Sequence, residues 1–277
     1  MVSHRLTDFP AHWGLSRSLP DAIKKELDTA AERLRAQQPS LPILLRPICV
    51  KLGIKVVRRA SVPEGKAYLQ WDGAGGHSPI VLLPRSGALT WDRFCTAHEL
   101  GHFVLVTKFG WNPTEQSDYW RTEVMCDYFA RQLLVPDFGL RLRPARRART
   151  AMSWCNSLSK NADVPWIQAA KKITSVHPHL AFFRLAKGKD TRLKVLATSL
   201  PLEKGIGTLV STRTAFSKIA YGAIEIAKQE SLCESRTVDR ADFVGSRLGE
   251  LFSDLGVKEI FLEASMRREQ IKLSATR

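Results

Sequence analysis

The pentapeptide His98-Glu99-Leu100-Gly101-His102 constrains this chain more than any other stretch, because its side chains act together only on a helix whose surroundings supply partners. On a helix, residues four apart share a face with Cβ atoms roughly 5–6 Å apart, so two imidazoles can grip one cation. Glu99 follows the first histidine and points beside such an ion. There a carboxylate can take a proton from an activated water and return it to a leaving amine. The H-E-x-x-H spacing leads us to expect a zinc-dependent hydrolase, since zinc can bring the pKa of a water down to about 7.

The flanks read as helix. Leu89 to Phe94 resembles a start, with Thr90 able to cap and Asp92 in the positive first turn. Phe94, Ala97, Gly101, Val104, Leu105 and Val106 leave little polar surface, as on a buried helix. Two histidines and a glutamate without partners would be costly to bury there.

Catalytic zinc usually has three protein ligands plus water, and a glutamate from a second helix is one solution. Residues 118–136 have helical spacing at Val124, Cys126, Phe129, Ala130, Leu133 and Leu134, with Ser117 as a cap and Pro136 as the stop. Glu123 and Asp127 are four apart on that helix, which suits one as a zinc ligand and the other as the hydrogen-bond partner of a ligating histidine. Tyr119 and Tyr128 are candidate oxyanion stabilisers, with packing as the alternative role.

Together these segments resemble the ImmA/IrrE family of metallo-endopeptidases, HELGH zinc peptidases of the gluzincin-like type. Its members pair H-E-L-G-H with a later helix E-x-x-A-x-x-F-A-x-x-L-L-x-P. Here that helix runs from Glu123 to Pro136, with Cys126 where the family prefers alanine, a small-for-small change. The resemblance is specific from Thr90 to Pro136 and extends back to about residue 40. It implies that His98, His102 and Glu123 bind Zn2+, with Mn2+ or another divalent metal as a possible occupant, and that Glu99 is the general base and acid. It also implies a protein substrate, a helix-turn-helix repressor, whose cleavage relieves repression of mobile-element or stress-response genes.

Ahead of the histidine helix, Gly53–Arg59, Ala67–Trp71 and Pro79–Pro84 are short β-rich runs between Gly, Pro and Ser punctuation, and Pro20 to Gln37 reads as one amphipathic helix. An extended substrate can add to an exposed sheet edge, and Ile80 to Leu83 is our expected edge strand. His77, in a glycine-rich turn, reads as a loop residue.

Downstream, Arg141, Arg143, Arg146, Arg147 and Arg149 place five arginines in nine residues, either a solvated linker or a nucleic-acid contact. Trp154 to Lys160 and Val164 to Ile173 have helix-turn-helix spacing. Leu180–Ala186 and Leu193–Thr198 read as a hairpin, Thr214–Gln229 and Val244–Leu255 as helices, and Glu259–Ser265 and Gln270–Ser274 as strands.

The expected fold class is therefore α+β. A small β-sheet plus zinc-site helices form a minimal zincin-like core, followed by a helix-turn-helix-like segment and a smaller α+β C-terminal domain. We expect a metallopeptidase domain at 1–140, a basic linker and helix-turn-helix-like segment at 141–178, and at 179–277 a C-terminal α+β domain of unknown role, with sensing a small signal, holding a dimer and recognising the substrate as the alternatives. With 277 residues there is material for a sizeable core, and no run approaches the ~18 apolar residues of a membrane span. The start, Met1-Val2-Ser3-His4-Arg5, leads into no apolar signal core. The five cysteines are odd in number and scattered, without C-x-x-C pairs, and read as reduced thiols in a cytoplasmic protein. Cys95 reads as packing beside the histidine helix. The net charge of +15 attracts polyanions, so a nucleic-acid-binding or sensor regulator with a non-catalytic zinc fold is the alternative to an enzyme.

Overall fold

The computed structural model of the protein describes residues 19–71, 78–111, 116–137, 148–187, 193–199, 209–210, 233–238, 259–265 and 270–276. The fold is α+β, as expected. Its helices are α1 (Asp21–Arg35), α2 (Leu45–Lys51), α3 (Leu89–Phe109), α4 (Gln116–Leu134), α5 (Ala148–Ala162) and α6 (Trp166–Val176). Its strands are β1 (Lys55–Arg59), β2 (Tyr68–Gln70), β3 (Ile80–Pro84), β4 (Leu180–Lys187), β5 (Leu193–Thr198), β6 (Leu209–Val210), β7 (Cys233–Val238), β8 (Glu259–Ser265) and β9 (Gln270–Thr276). The chain divides into two compact units, residues 1–141 with 158–165, and 142–157 with 166–277.

In the first unit α1, α3 and α4 pack with a three-stranded sheet of order β1-β3-β2. β1 runs parallel to β3, from Lys55 opposite Ile80 to Arg59 opposite Pro84, and β2 runs antiparallel to it. This order corrects the expectation that Ile80–Leu83 is an edge: β3 is central, and both of its backbone sides are taken by neighbours. The residues explain why, since Val81 and Leu83 are buried in an unbroken apolar run, whereas β1 carries Lys55, Arg58 and Arg59, charges that suit an edge.

α3 is buried along most of its length, from Asp92 to Leu105. α4 covers one side of it, and β2 and β3 contact it as well, so its sequence lacks a polar face. Its start differs from the expectation. Ala88 precedes the helix without a side-chain cap, and Thr90 lies inside the first turn. Asp92 instead accepts from Arg58 at 2.7 Å, and Arg58 also donates to Pro84 O at 2.8 Å, tying the helix start to the sheet. Arg93 makes a second tie through Ile43 O and Asp163 O. Gly110 ends α3 at φ 62°, a left-handed conformation that glycine adopts without a Cβ penalty.

α4 likewise begins two residues early, at Gln116 rather than Asp118, which puts Ser117 inside the helix rather than at its cap. Phe129, Leu133 and Leu134 are fully buried. α1 packs on α4 through an apolar side that includes Leu27, Ala30 and Ala31, and Arg35 donates to Gln132 O at 3.1 Å. α2 was not expected from sequence. Seven residues are too few for a period to show, and Pro47 reads as a breaker although its missing N–H costs nothing in a first turn.

The second unit holds an antiparallel sheet of order β6-β5-β4-β9-β8-β7. β4 and β5 form the expected hairpin, and the expected C-terminal strands are β8 and β9. β9 returns to pair with β4 from Leu180 opposite Thr276 to Ala186 opposite Gln270. α6 packs on β4, with Trp166 edge-on to Phe182 and the Thr174 hydroxyl donating to Ser199 at 2.7 Å. The two helices of the helix-turn-helix reading are longer than expected, and Asp163 turns between them at φ 52°. The expected helices 214–229 and 244–255, His77, and Arg141, Arg143, Arg146 and Arg147 lie outside the described residues. Arg149 falls in α5, with its side chain outside the described atoms.

Candidate metal centre

α3 and α4 approach closely at Gly101 and Cys126. A Cβ added to Gly101 would stand 3.0 Å from Cys126 Cα and 3.3 Å from its Sγ, so two small residues are what let the helices meet. That approach sets the site. His98 and His102 on α3 and Glu123 on α4 are all buried, and the His98 and His102 rings lie 5.0 Å apart.

The four residues expected to carry the chemistry come together with Asp127. His98 Nε2 lies 3.1 Å from Glu123 Oε2, His102 Nε2 lies 3.2 Å from Glu123 Oε1, and His98 Nδ1 lies 3.0 Å from Asp127 Oδ1. Arg131 stands 3.8 Å from the other Asp127 oxygen. Burial opposes charge on His98, but Asp127 and Glu123 outweigh it and hold the imidazole well above its usual pKa. Burial also opposes ionisation of Glu123, yet the two imidazoles hold its carboxyl well below the usual range.

These distances test whether a metal fits. A carboxylate can only accept, so His98 donates its Nδ1 proton to Asp127, and in a neutral ring Nε2 then presents a lone pair. That lone pair would face a second acceptor, Glu123 Oε2, while the buried Glu123 Oε1 lies 3.2 Å from His102 Nε2. Facing acceptors at such distances require a positive charge between them, either a proton or a cation. A metal ion satisfies both oxygens and both imidazoles, and Asp127 orients the ring as a histidine ligand needs. The residues fit the group.

Glu99 occupies the position beside this cluster. Its Oε2 accepts from the Leu69 N–H of β2 at 2.8 Å, and Trp71, just after β2, stacks obliquely on Phe103 of α3. Burial raises the pKa of its carboxyl, against the pull of His102 and His98. The Leu69 contact was missed from sequence because a backbone donor leaves no trace in residue identity.

Tyr128 donates its hydroxyl to Asp28 of α1 at 3.2 Å, and burial with Asp28 pushes its pKa up to about 12. That bond commits its hydroxyl to α1. Tyr119 is half-buried, four residues before Glu123 on α4. Cys95 Sγ is directed at Gly65 O, 3.9 Å away, and burial pushes its thiol up to about 12, an inert packing thiol. Cys126 is different, because its Sγ and one nitrogen each of His98 and His102 lie within 4.8 Å of one another.

Two helices that bring paired imidazoles and a carboxylate to one point, with a second carboxylate alongside, have the donor arrangement of a metallopeptidase of the H-E-x-x-H class. Residues 49–174 match the family model of the IrrE N-terminal-like domain, Peptidase_M78, so that span is similar to the ImmA/IrrE metallopeptidases. Among solved structures, the fold is similar to that of a Mycobacterium tuberculosis transcriptional regulator at a TM-score of 0.51 and 12% identity, covering 92% of this chain and 81% of that one. No curated protein matches the chain. Among the described residues, no helix is long and apolar enough to cross a membrane.

Proposed function

We propose that the protein is a zinc-dependent endopeptidase, that His98, His102 and Glu123 hold the ion, and that its substrate is a helix-turn-helix transcriptional repressor. The observation that carries this reading is the buried cluster in which His98 Nε2 and His102 Nε2 lie 3.1 Å and 3.2 Å from the two oxygens of Glu123, beside an intact Glu99. When bound, zinc supplies Lewis acidity, acidifying a water and polarising the scissile carbonyl. Glu99 then takes the proton of the attacking water and delivers it to the departing amine, a role that a carboxyl with raised pKa performs well near neutral pH. Asp127 fixes the ring of His98 through Nδ1. Tyr119 remains a candidate donor to the developing oxyanion.

A protein substrate is what the family resemblance implies. The regulatory role is supported by that family's habit of cutting repressors and by the shared fold with a protein described as a transcriptional regulator. We assign peptide cleavage to residues 1–140, the basic linker to 141–178 and recognition or sensing to 179–277, in a cytoplasmic protein. Co-expression with the repressor encoded beside it tests enzyme, substrate and base together. Wild type removes full-length repressor, whereas Glu99→Gln leaves it intact and retains its metal. Equal repressor levels in the two strains would sink the reading.

A second reading is kept by the net charge of +15, which suits a nucleic-acid-binding or sensor regulator without catalysis. It gains support if the Glu99→Gln protein binds DNA with a steep salt dependence and retains full regulatory activity.

A further inference from the structure

Cys126 is fully buried on α4 and takes no part in the mechanism above. We propose that it supplies a sulfur donor to the ion held by His98 and His102, in a shell expanded to five so that water keeps its position, which biases the site toward thiophilic ions of the zinc type and against manganese. The inference rests on the reading of those histidines as metal ligands.

Three observations carry it. Sγ and one ring nitrogen of each histidine lie within 4.8 Å of one another, close to the roughly 3.6 Å at which nitrogen and sulfur stand when they share one zinc ion. Gly101 leaves the α3 backbone bare opposite Sγ, so the sulfur reaches the helix face between the two histidines. Glu99 and Glu123, both buried, lie in the same site, and buried carboxylates call for a cation. Cys126 also follows Glu123 by one turn, so both approach the histidines from α4. On binding, the S–H bond breaks, its proton leaves to solvent and a sulfur–metal bond forms, with no change of oxidation state. Thiolates favour zinc, whereas oxygen-rich shells suit manganese.

The test uses the full-length protein loaded with Co2+ or Zn2+. In the wild type we expect one bound ion, a near-ultraviolet sulfur-to-cobalt charge-transfer band, and one sulfur at about 2.3 Å by zinc X-ray absorption, beyond the nitrogen and oxygen neighbours. Cys126→Ala and the near-isosteric Cys126→Ser lose both signals, and their zinc affinity falls by about tenfold or more while manganese affinity changes little. A wild-type ion with only nitrogen and oxygen neighbours, or a sulfur band that survives in Cys126→Ala, overturns the inference and leaves the peptidase reading standing. Failure of the wild type to bind any ion overturns both.

Discussion

His98 serves two carboxylates at once, which makes the residue scale the place where the site is most sensitive. Its Nδ1 proton goes to Asp127 and its Nε2 faces Glu123. We predict that Asp127→Asn lowers metal affinity by about 10–100-fold, read by competition with a chromogenic chelator, because the amide no longer fixes the ring and its charge. An unchanged affinity would mean that Asp127 does not orient the ligand. For Glu99→Gln the expected loss is on the order of 10²–10⁴ in kcat with metal content unchanged, since only proton transfer is removed. Gly101 is constrained by its neighbour rather than by its own backbone. Gly101→Val should lower stability by about 1–3 kcal/mol in a urea titration, because a side chain there presses on the α4 backbone at Cys126 Cα.

Elements hold these residues by ties that their own periodicity does not reveal. Asp92 in the first turn of α3 is buried and paired with the partly exposed Arg58 of β1. Arg58→Ala should therefore cost about 1–3 kcal/mol in the urea midpoint, more than the loss of a surface pair, because it strands a buried carboxylate. A loss no larger than that of a surface pair would show that water reaches Asp92. The existence of α1, α3, α4, β1, β2 and β3 was legible because each has a clear apolar period or a β-rich run between turn residues. Their ends were less so: Thr90 and Ser117 have capping chemistry, yet the helices begin before them. β3 was misplaced because an apolar strand adjoining a glycine-rich turn says nothing of how many neighbours it has. β7, Cys-Glu-Ser-Arg-Thr-Val, alternates too weakly to announce itself and exists by pairing with β8.

Across the whole molecule, metal binding should act as a stabilising linkage. Zinc at a hundred times its dissociation constant adds about 2.7 kcal/mol to a site that binds only when folded, so loading should raise the thermal transition and chelation should reverse it. Hydrogen exchange should slow most in α3 and α4, which carry the proposed ligands, and least in β4 and β9. Protection spread evenly over the chain would argue against a site confined to the two helices. Such a chain holds ample positive charge for polyanions as well, but charge alone steers encounter and does not select a partner.

By itself, the sequence determined the helix that carries the histidine pair, the second helix with its two carboxylates, and the α+β class. Those features are local, set by residue spacing within one element. Only the tertiary structure decided that Glu123 and Asp127 meet opposite nitrogens of His98, that Leu69 N–H restrains Glu99, that β3 is central and that the Cys126 thiol faces the ligand pair. These are contacts between segments remote in sequence, created where Gly101 and Cys126 let two helices touch, and no spacing within a single element encodes them.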